Sequence, residues 1–337
     1  MPESKRADPV APNALEELID GYQKTQVIHV MVKLGIADQL GRGAQRSEAV
    51  ASAVGAHAGA CYRLLRALEY MDIVHEPSPG TFALTALGEQ LRSNVALRDA
   101  LLLTGDVFAR WWAGLEHCVR TGESSVPVIE GVSSFEYLHG NTEATSRFNR
   151  LMSAMVGGIA ANVVSVYDFS AVRRVVDIGG GRGTLISTIL KANPQLRGVV
   201  FDVPTTIEEA KQAITAMGLT ERCECVGGDF FAHVPSGDCL VLSAVLSDWN
   251  DEKCTVILKN CRRAVAVDGR LLVLERLLEP ERPAPPSAFM DLQMLVIGGG
   301  TGRSAPEYRS LFHAAGFELA RVIPTGASRS IFEARPA

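Results

Sequence analysis

Residues 175–184 of this chain read Val-Val-Asp-Ile-Gly-Gly-Gly-Arg-Gly-Thr. The apolar start is typical of a buried strand, and a helix-compatible run from Leu185 to Leu190 follows the glycines. Because glycine has no Cβ, Gly179, Gly181 and Gly183 let the backbone turn sharply and approach a ligand closely. The free N–H groups at the start of the next helix would face that ligand. The stretch therefore predicts a strand, a ligand-binding turn and a helix.

A second acidic residue comes one strand later. Asp202 ends the apolar run that begins at Gly198, nineteen residues after Gly183. A carboxylate at that place can accept hydrogen bonds from both hydroxyls of a ribose. Further along, Asp229 ends another apolar run and is followed by Phe230, whose ring could pack on a purine. These residues together predict a nucleoside site at one edge of a sheet.

Five short motifs follow one another in the second half of the chain. They are the glycine-rich stretch Asp177–Gly183, Phe201–Pro204, Gly227–Phe230, Leu246–Trp249, and Asp268–Arg270 running into Glu275. In this order they resemble the S-adenosylmethionine (SAM)-dependent O-methyltransferases that carry an N-terminal dimerisation domain. That family includes plant caffeic acid methyltransferases and bacterial anthracycline and phenazine methyltransferases. The resemblance covers nearly the whole chain, from about Leu15 to Phe332, and implies SAM as cofactor and S-adenosylhomocysteine as its product.

Strands and helices alternate from Val172 onward, which predicts an α/β fold with a mostly parallel sheet covered on both faces. The resemblance implies a Rossmann-like methyltransferase sheet with one antiparallel terminal strand, preceded by a mainly α winged-helix dimerisation domain. We expect a disordered tail over 1–13, the winged-helix-like dimerisation domain over 14–103, a helical linker that roofs the acceptor pocket over 104–170, and the SAM-binding catalytic domain over 171–337. We also expect the Gly157-Gly158 pair to loosen the helix that contains it.

A winged helix could bind DNA, but the residues favour dimerisation. The candidate recognition helix carries Arg63 and Arg66 beside Glu69, whereas phosphate binding needs clustered Lys and Arg. The net charge of −5 over 337 residues gives no global attraction to nucleic acid or to an anionic membrane. No run reaches the ~18 apolar residues of a membrane helix, and no signal-peptide pattern follows Met1. We therefore predict a cytoplasmic homodimer with neither nucleic acid nor a membrane as partner.

The resemblance assigns cofactor binding to residues at the strand ends. Asp177 and the loop glycines would hold the methionine end, Asp202 the ribose, and Asp229 with Phe230 the adenine. Helix capping by Asp177 and core packing by Trp249 are the structural alternatives. Ser243 lies where many relatives place a lysine that faces the cofactor. The predicted set is Asp177, Gly179, Gly181, Asp202, Asp229, Phe230, Ser243 and Trp249.

The candidate acid–base residues depart from the plant pattern. Plant relatives carry a histidine base before the Asp-Trp pair and two glutamates that orient it. Here the histidine position is Ser247, the first glutamate matches Glu275, and the second falls near Gly302. The predicted catalytic residues are therefore Ser247, Asp248 and Glu275.

The missing histidine leaves three readings of the chemistry. A phenol with a pKa of about 10 is ionised in only about one molecule in a thousand at pH 7, a cost of roughly 4 kcal/mol that a serine cannot recover as a base. The acceptor is then a hydroxyl that is already acidic, or a ring nitrogen, or another group serves as base. Histidines available for the third reading are His117, His139 and His313. We favour the first reading, methyl transfer by proximity to an acidic hydroxyl.

By resemblance, the acceptor pocket is lined by methionines, aromatic residues and one acid. Thioethers and rings pack well on a flat aromatic ligand, although core packing explains the same residues. Asp291 could orient an acceptor hydroxyl or cap a helix. The predicted set is Trp112, Met152, Met155, Phe289, Met290, Asp291 and Met294, with no metal.

Three other functions use parts of the same pattern. A nicotinamide dehydrogenase would share the glycine turn and the ribose acid, but Gly228–Phe230 and the Asp248-Trp249 pair fit that class poorly. A SAM-sensing regulator would need a basic recognition face. A SAM-binding relative that hydroxylates or decarboxylates instead of transferring methyl stays open, because the histidine is missing.

Overall fold

The computed structural model of the chain describes residues 14–278, 285–326 and 328–337. Two units divide between Ala109 and Arg110, so the helical segment that follows Arg110 belongs to the second unit. The tail predicted over residues 1–13 lies outside the described residues. The finer division of the chain at residues 103 and 170 stays a prediction.

The first unit is mainly helical and carries a small antiparallel sheet in the order β1-β3-β2. Its core packs Met31, Leu65 and Phe82 out of contact with solvent. Its helices are α1 (Ala14–Ile19), α2 (Gly21–Lys33), α3 (Ile36–Leu40), α4 (Ser47–Ala53), α5 (Ala58–Tyr70), α6 (Ala86–Ser93) and α7 (Val95–Leu103), followed by a π-helical turn at Thr104–Phe108. Its strands are β1 (Gln45–Arg46), β2 (Val74–Ser78) and β3 (Thr81–Leu84).

A series of helices leads into the second unit and ends in its longest helix. The series is α8 (Ala109–Trp112), α9 (Leu115–Thr121), α10 (Val126–Glu130), α11 (Ser134–Gly140) and α12 (Thr142–Val166). The expectation that Gly157-Gly158 loosens a helix is wrong, because α12 continues through both glycines. Packing explains the difference, since Ile159, Ala160 and Val163 are buried in the core directly afterwards. None of the helices in the described part of the chain is long and apolar enough to cross a membrane.

A seven-stranded sheet forms the centre of the second unit, in the order β6-β5-β4-β7-β8-β10-β9. The pairs β4–β5, β5–β6, β4–β7 and β7–β8 are parallel, and β10 is antiparallel to both of its neighbours. The predicted fold class is therefore confirmed. The strands are β4 (Arg174–Ile178), β5 (Arg197–Asp202), β6 (Cys223–Gly227), β7 (Gly237–Ser243), β8 (Val265–Glu275), β9 (Phe317–Pro324) and β10 (Ser330–Pro336).

Helices cover both faces of this sheet. The remaining helices are α13 (Thr184–Ala192), α14 (Pro204–Ala216), α15 (Asp251–Ala264), α16 (Pro285–Gly298) and α17 (Ala305–Ala314), with a 3-10 turn at Leu246–Asp248. Alternate strand residues point to opposite faces, so Leu272 packs in the core of α12, α13 and α14, and Leu271 in the core of α15 and α17. The carboxyl ends of β4 to β8 meet at one edge, where the predicted site residues lie.

Candidate functional site

The glycine-rich turn after β4 folds back tightly over β5. The N–H groups of Gly179 and Gly180 donate to the carbonyl oxygen of Phe201, at 2.8 and 3.3 Å. Gly179 and Gly181 have φ values of +69° and +55°, in the left-handed region that favours glycine. A Cβ on Gly179 would lie 2.8 Å from Val245 Cγ2, whereas a Cβ on Gly181 would enter open space. The backbone at Gly181 can therefore be approached closely from outside.

Two strand-end carboxyls lie beside this turn in different surroundings. Asp202 is half-buried, and its Oδ2 accepts the N–H of Gly181 at 2.8 Å while Oδ1 accepts that of Val203 at 2.7 Å. Asp177 is only 2% exposed, and its Oδ2 has no hydrogen-bond partner among the described residues. Burial, with a smaller contribution from the charge of Asp202, raises the pKa of Asp177 to about 7. Asp177 thus lies beneath the turn, and Asp202 lies at its surface.

An aromatic cluster stands next to these carboxyls. The ring of Trp249 lies edge-on to Phe231 at 4.9 Å between centroids and to Phe230 at 6.2 Å. Phe135 of α11 stacks on the same indole at 5.5 Å. The side chain of Asn260 donates to the carbonyl oxygens of Phe230 and Phe231, at 2.9 and 2.8 Å. The cluster therefore holds predicted cofactor residues in fixed orientations.

The predicted acid–base residues lie on the 3-10 turn after β7 and at the end of β8. The backbone N–H of Ser247 donates to Glu275 Oε1 at 3.2 Å. Glu275 is buried, and burial raises the pKa of its carboxyl. Burial and the nearby charge of Glu275 raise the pKa of Asp248 to about 8, while Arg329 acts in the opposite direction. Asp248 therefore resists ionisation at neutral pH, and the pKa of Glu275 is shifted in the same direction.

A buried arginine, Arg303, forms hydrogen bonds to the backbone of this 3-10 turn. It is buried, and its guanidinium donates to the carbonyl oxygens of Leu246 at 2.9 Å and Trp249 at 2.8 Å. It also pairs with Asp251 at 2.8 Å. Sequence analysis missed Arg303, although it directly follows Gly302 in the segment that was compared with the plant pattern.

Arg329 occupies the position beside Ser243. Its Nη1 donates to Ser243 Oγ at 3.1 Å, and the side chain is 5% exposed. Burial lowers the pKa of this guanidinium, and the charges of Glu275 and Asp248 raise it. Sequence analysis missed Arg329 as well, because 86 residues separate it from Ser243.

The predicted acceptor residues are distributed over two places in the second unit. Trp112 donates its indole N–H to Gln293 of α16, and Asp291 of the same helix accepts the N–H of Gly302 at 2.6 Å. Met155 lines a cavity of about 330 Å³ on the side of α12. Among the rest, Phe289 is exposed, and Met152, Met290 and Met294 are half-buried.

Comparison with known proteins places this geometry in a family. The O-methyltransferase domain matches residues 112–318, and the O-methyltransferase dimerisation domain matches residues 16–94. The chain belongs to the O-methyltransferase family. It is 40% identical to the phenazine O-methyltransferase of Lysobacter antibioticus over 100% of both chains. It is 30% identical to the phenazine-1-carboxylate N-methyltransferase of Pseudomonas aeruginosa, over 93% of this chain and 94% of that one.

Solved structures agree with this assignment. The mitomycin 7-O-methyltransferase superposes with a TM-score of 0.93 at 36% identity, over 96% of this chain and 97% of that one. An O-methyltransferase from neocarzinostatin biosynthesis, crystallised with SAM and 2-hydroxy-5-methyl naphthoic acid, gives 0.87 at 33% identity, over 96% and 99% of the chains. This O-methyltransferase accordingly uses SAM as its methyl donor.

The described residues of the O-methyltransferase fit that cofactor. The glycines at Gly179–Gly181 have no side chains that would keep a ligand away from the backbone. Asp202 and the ring of Phe230 lie next to this turn. Among the described residues, no group of three or more His, Cys, Asp or Glu side chains is placed to hold a metal ion. The individual cofactor, acceptor and catalytic assignments stay predictions.

Proposed function

We propose that this O-methyltransferase methylates an acidic hydroxyl on a planar aromatic secondary metabolite, and that it does so without a histidine base. The observation that carries the proposal is the hydrogen bond from the backbone N–H of Ser247 to Glu275. The glutamate that would orient a histidine in plant relatives meets a backbone amide here. The second such position falls near Gly302, which has no side chain and donates its N–H to Asp291.

Without a base, the enzyme contributes binding and orientation. When bound, SAM supplies a methyl group on a sulfonium centre for in-line transfer. In this proposal the turn glycines and Asp177 hold the methionine end, Asp202 binds the ribose, and Asp229 with Phe230 holds the adenine. Trp249 and Ser243 are the remaining residues of the proposed cofactor site. Holding donor and acceptor in reactive alignment removes most of the entropic barrier of a bimolecular step.

The acidity of the acceptor then decides whether orientation is sufficient. An ordinary phenol must lose its proton at a cost of about 1.36 kcal/mol for each unit by which its pKa exceeds the pH. Hydroxyquinones and hydroxyphenazines have hydroxyls that are more acidic than those of ordinary phenols, so they reduce that cost. The proposed acceptor pocket uses Trp112, Met152, Met155, Phe289, Met290, Asp291 and Met294, whose aromatic rings and thioethers suit a flat ring system.

The deciding experiment installs the missing base. Wild type, Ser247→His and Ser247→Ala are given methyl-deuterated SAM with acidic hydroxyquinones, hydroxyphenazines and ordinary phenols, and labelled products are measured by mass spectrometry. Wild type should label the acidic hydroxyls, and Ser247→His should speed labelling of ordinary phenols at least about tenfold, since a positioned base contributes 10²- to 10⁴-fold. Ser247→Ala is the control, because it keeps the backbone N–H and adds no base.

Two results would contradict the proposal. One is an unimproved rate on ordinary phenols in Ser247→His, with a wild-type rate that falls steeply as pH drops through about 6.5, the range of a histidine. The other is efficient wild-type methylation of ordinary phenols that rises through pH 8 and is lost in Asp248→Asn, which would make Asp248 the base.

A ring nitrogen is the second candidate acceptor. It is favoured by the similarity to the phenazine-1-carboxylate N-methyltransferase, whose name states a nitrogen acceptor. A nitrogen lone pair also needs no base. Nitrogen heterocycles in the same acceptor panel distinguish the two, because fragmentation of the labelled product locates the deuterated methyl group on oxygen or on nitrogen.

A further inference from the structure

We propose that Arg276 and Arg329 form a subsite for a carboxylate group, and that the acceptor carries this carboxylate while its ring lies in the adjoining cavity. The inference rests on the proposed function, since it describes the acceptor of that reaction. It adds a recognition element on the side of the sheet that α12 covers.

The cavity that Met155 lines combines apolar residues of one helix with one cationic side chain. Ala154, Met155, Gly158 and Ile159 of α12 supply the apolar lining, and Arg276 and Ser328 supply the polar lining, of a volume of about 330 Å³. That volume is at the lower end of the range of about 300–1,000 Å³ for small-molecule sites. Methionine and glycine leave room for a flat ring against the helix.

The strand register brings the second arginine next to the first. Ser330 of β10 lies opposite Glu275 of β8 in an antiparallel pair, so extending the register places Arg329 opposite Arg276. Directly opposite residues share one face of a sheet. That face is the one that contains Leu272 and Leu274, which pack in the core of α12.

Neither guanidinium forms an ion pair with a carboxylate among the described residues, although the charges of Glu275 and Asp248 act on Arg329. Arg276 is half-buried and forms no ion pair with a carboxylate in the described part of the chain. Arg329 is 5% exposed, and its side chain makes one hydrogen bond to the described residues, to Ser243. A guanidinium has five N–H donors, so the hydrogen bond to Ser243 leaves Arg329 able to donate to a further acceptor. Glu275 alternates with Leu274 along β8 and belongs to the opposite face.

Two neighbouring, poorly solvated cations are complemented by an anion. Burying a charge without a partner is costly, and a partner anion removes that cost. The planar guanidinium matches a carboxylate in a two-pronged arrangement, which makes a carboxylate the fitting ligand class. The carboxylate has two available sources. One is an aromatic acid as acceptor, and the other is the methionine end of the cofactor, since Ser243 is a predicted cofactor residue.

The acceptor arm measures binding without turnover. Wild type saturated with S-adenosylhomocysteine is titrated by calorimetry with benzoate, benzamide, 2-naphthoate and 2-naphthamide. We expect each acid to bind at least about tenfold more tightly than its amide, because hydrogen bonds to a charged group are the stronger kind. Arg276→Gln should bring the ratio to about one, and Arg276→Lys should keep part of it. Arg197→Gln, at the amino end of β5, is the matched control.

The cofactor arm compares S-adenosylhomocysteine with 5′-methylthioadenosine, which lacks the amino-acid end. If Arg276→Gln leaves the affinity ratio of S-adenosylhomocysteine to 5′-methylthioadenosine unchanged but loses the preference for acids over amides, the carboxylate belongs to the acceptor. The reverse result overturns the acceptor assignment and gives the subsite to the cofactor. Wild type that binds none of the acids, or binds acid and amide equally, overturns the proposal. Because no turnover is involved, these outcomes are independent of whether acidic hydroxyls are methylated.

Discussion

At the scale of single residues, Asp177 is a carboxyl enclosed beneath the glycine-rich turn, 2% exposed. Its carboxyl is buried, and its pKa of about 7 lies well above the ordinary 3.8. As pH rises, the carboxyl of Asp177 ionises in the unfolded state near pH 4 but stays protonated in the folded state until about pH 7. Ionisation stabilises the unfolded state, so the free energy of unfolding falls between about pH 4 and 7. Asp177 therefore stabilises the fold most at acidic pH.

The variant Asp177→Asn tests this, since the amide cannot ionise. As pH rises from about 4 to 7, the free energy of unfolding of wild type should fall relative to that of the variant. The change in the difference should be on the order of 4 kcal/mol, at ~1.36 kcal/mol per pKa unit. Urea unfolding at several pH values gives the difference. Two curves that stay parallel across this range would show that Asp177 has an ordinary pKa.

At the scale of elements, the turn at Leu246–Asp248 depends on one buried guanidinium. Arg303 bonds to carbonyl oxygens on both sides of Ser247 and Asp248, so it fixes where these side chains emerge. Lysine keeps the charge but lacks the planar fork that reaches two carbonyls and a carboxylate together. Arg303→Lys is expected to lower the free energy of unfolding by about 1–3 kcal/mol, the cost of buried groups left unpaired.

Asp251→Asn provides the control for that prediction. Asp251 is 78% exposed, so its pair with Arg303 is screened by water and contributes about 0–1 kcal/mol. Urea unfolding of both variants should therefore show a larger loss for Arg303→Lys. Equal losses would mean that the surface ion pair, and not the carbonyl contacts, holds the turn.

At the scale of the whole molecule, the dimerisation domain supports self-association. The first helix, α1, carries apolar side chains that the single chain leaves in solvent, with Leu18 75% and Ile19 71% exposed. We expect wild type to sediment at twice the mass of one chain. Leu18→Asp with Ile19→Asp should shift the protein towards monomer, since each large apolar side chain contributes about 1.5–3 kcal/mol when buried.

Val267→Asp is the matched change outside that region. Val267 is 88% exposed on β8 and lies in the second unit, so its replacement should leave the sedimenting mass unchanged. A protein that stays dimeric after the double change in α1 would have its interface on another surface.

The residues of the chain were enough to predict the sheet, the turn after β4 and the family. Glycines with positive φ, strand-end acids and alternating apolar runs are local features, and local features can be read along a sequence. The helix through Gly157-Gly158 shows the limit, because burial of the following residues outweighed the low helix propensity of glycine. Propensity is a weak prior where tertiary packing is strong.

The sequence by itself determined the α/β fold, the O-methyltransferase family and the methyl donor. Only the tertiary structure showed that Glu275 accepts a hydrogen bond from the backbone of Ser247, and that Asp177 and Asp248 resist ionisation. It also showed that Arg303 bonds to a turn 57 residues away and Arg329 to the end of a strand 86 residues away. The physical reason is that a pKa shift depends on loss of water and on nearby charges. Both are set by residues distant in the chain, which the order of amino acids does not display.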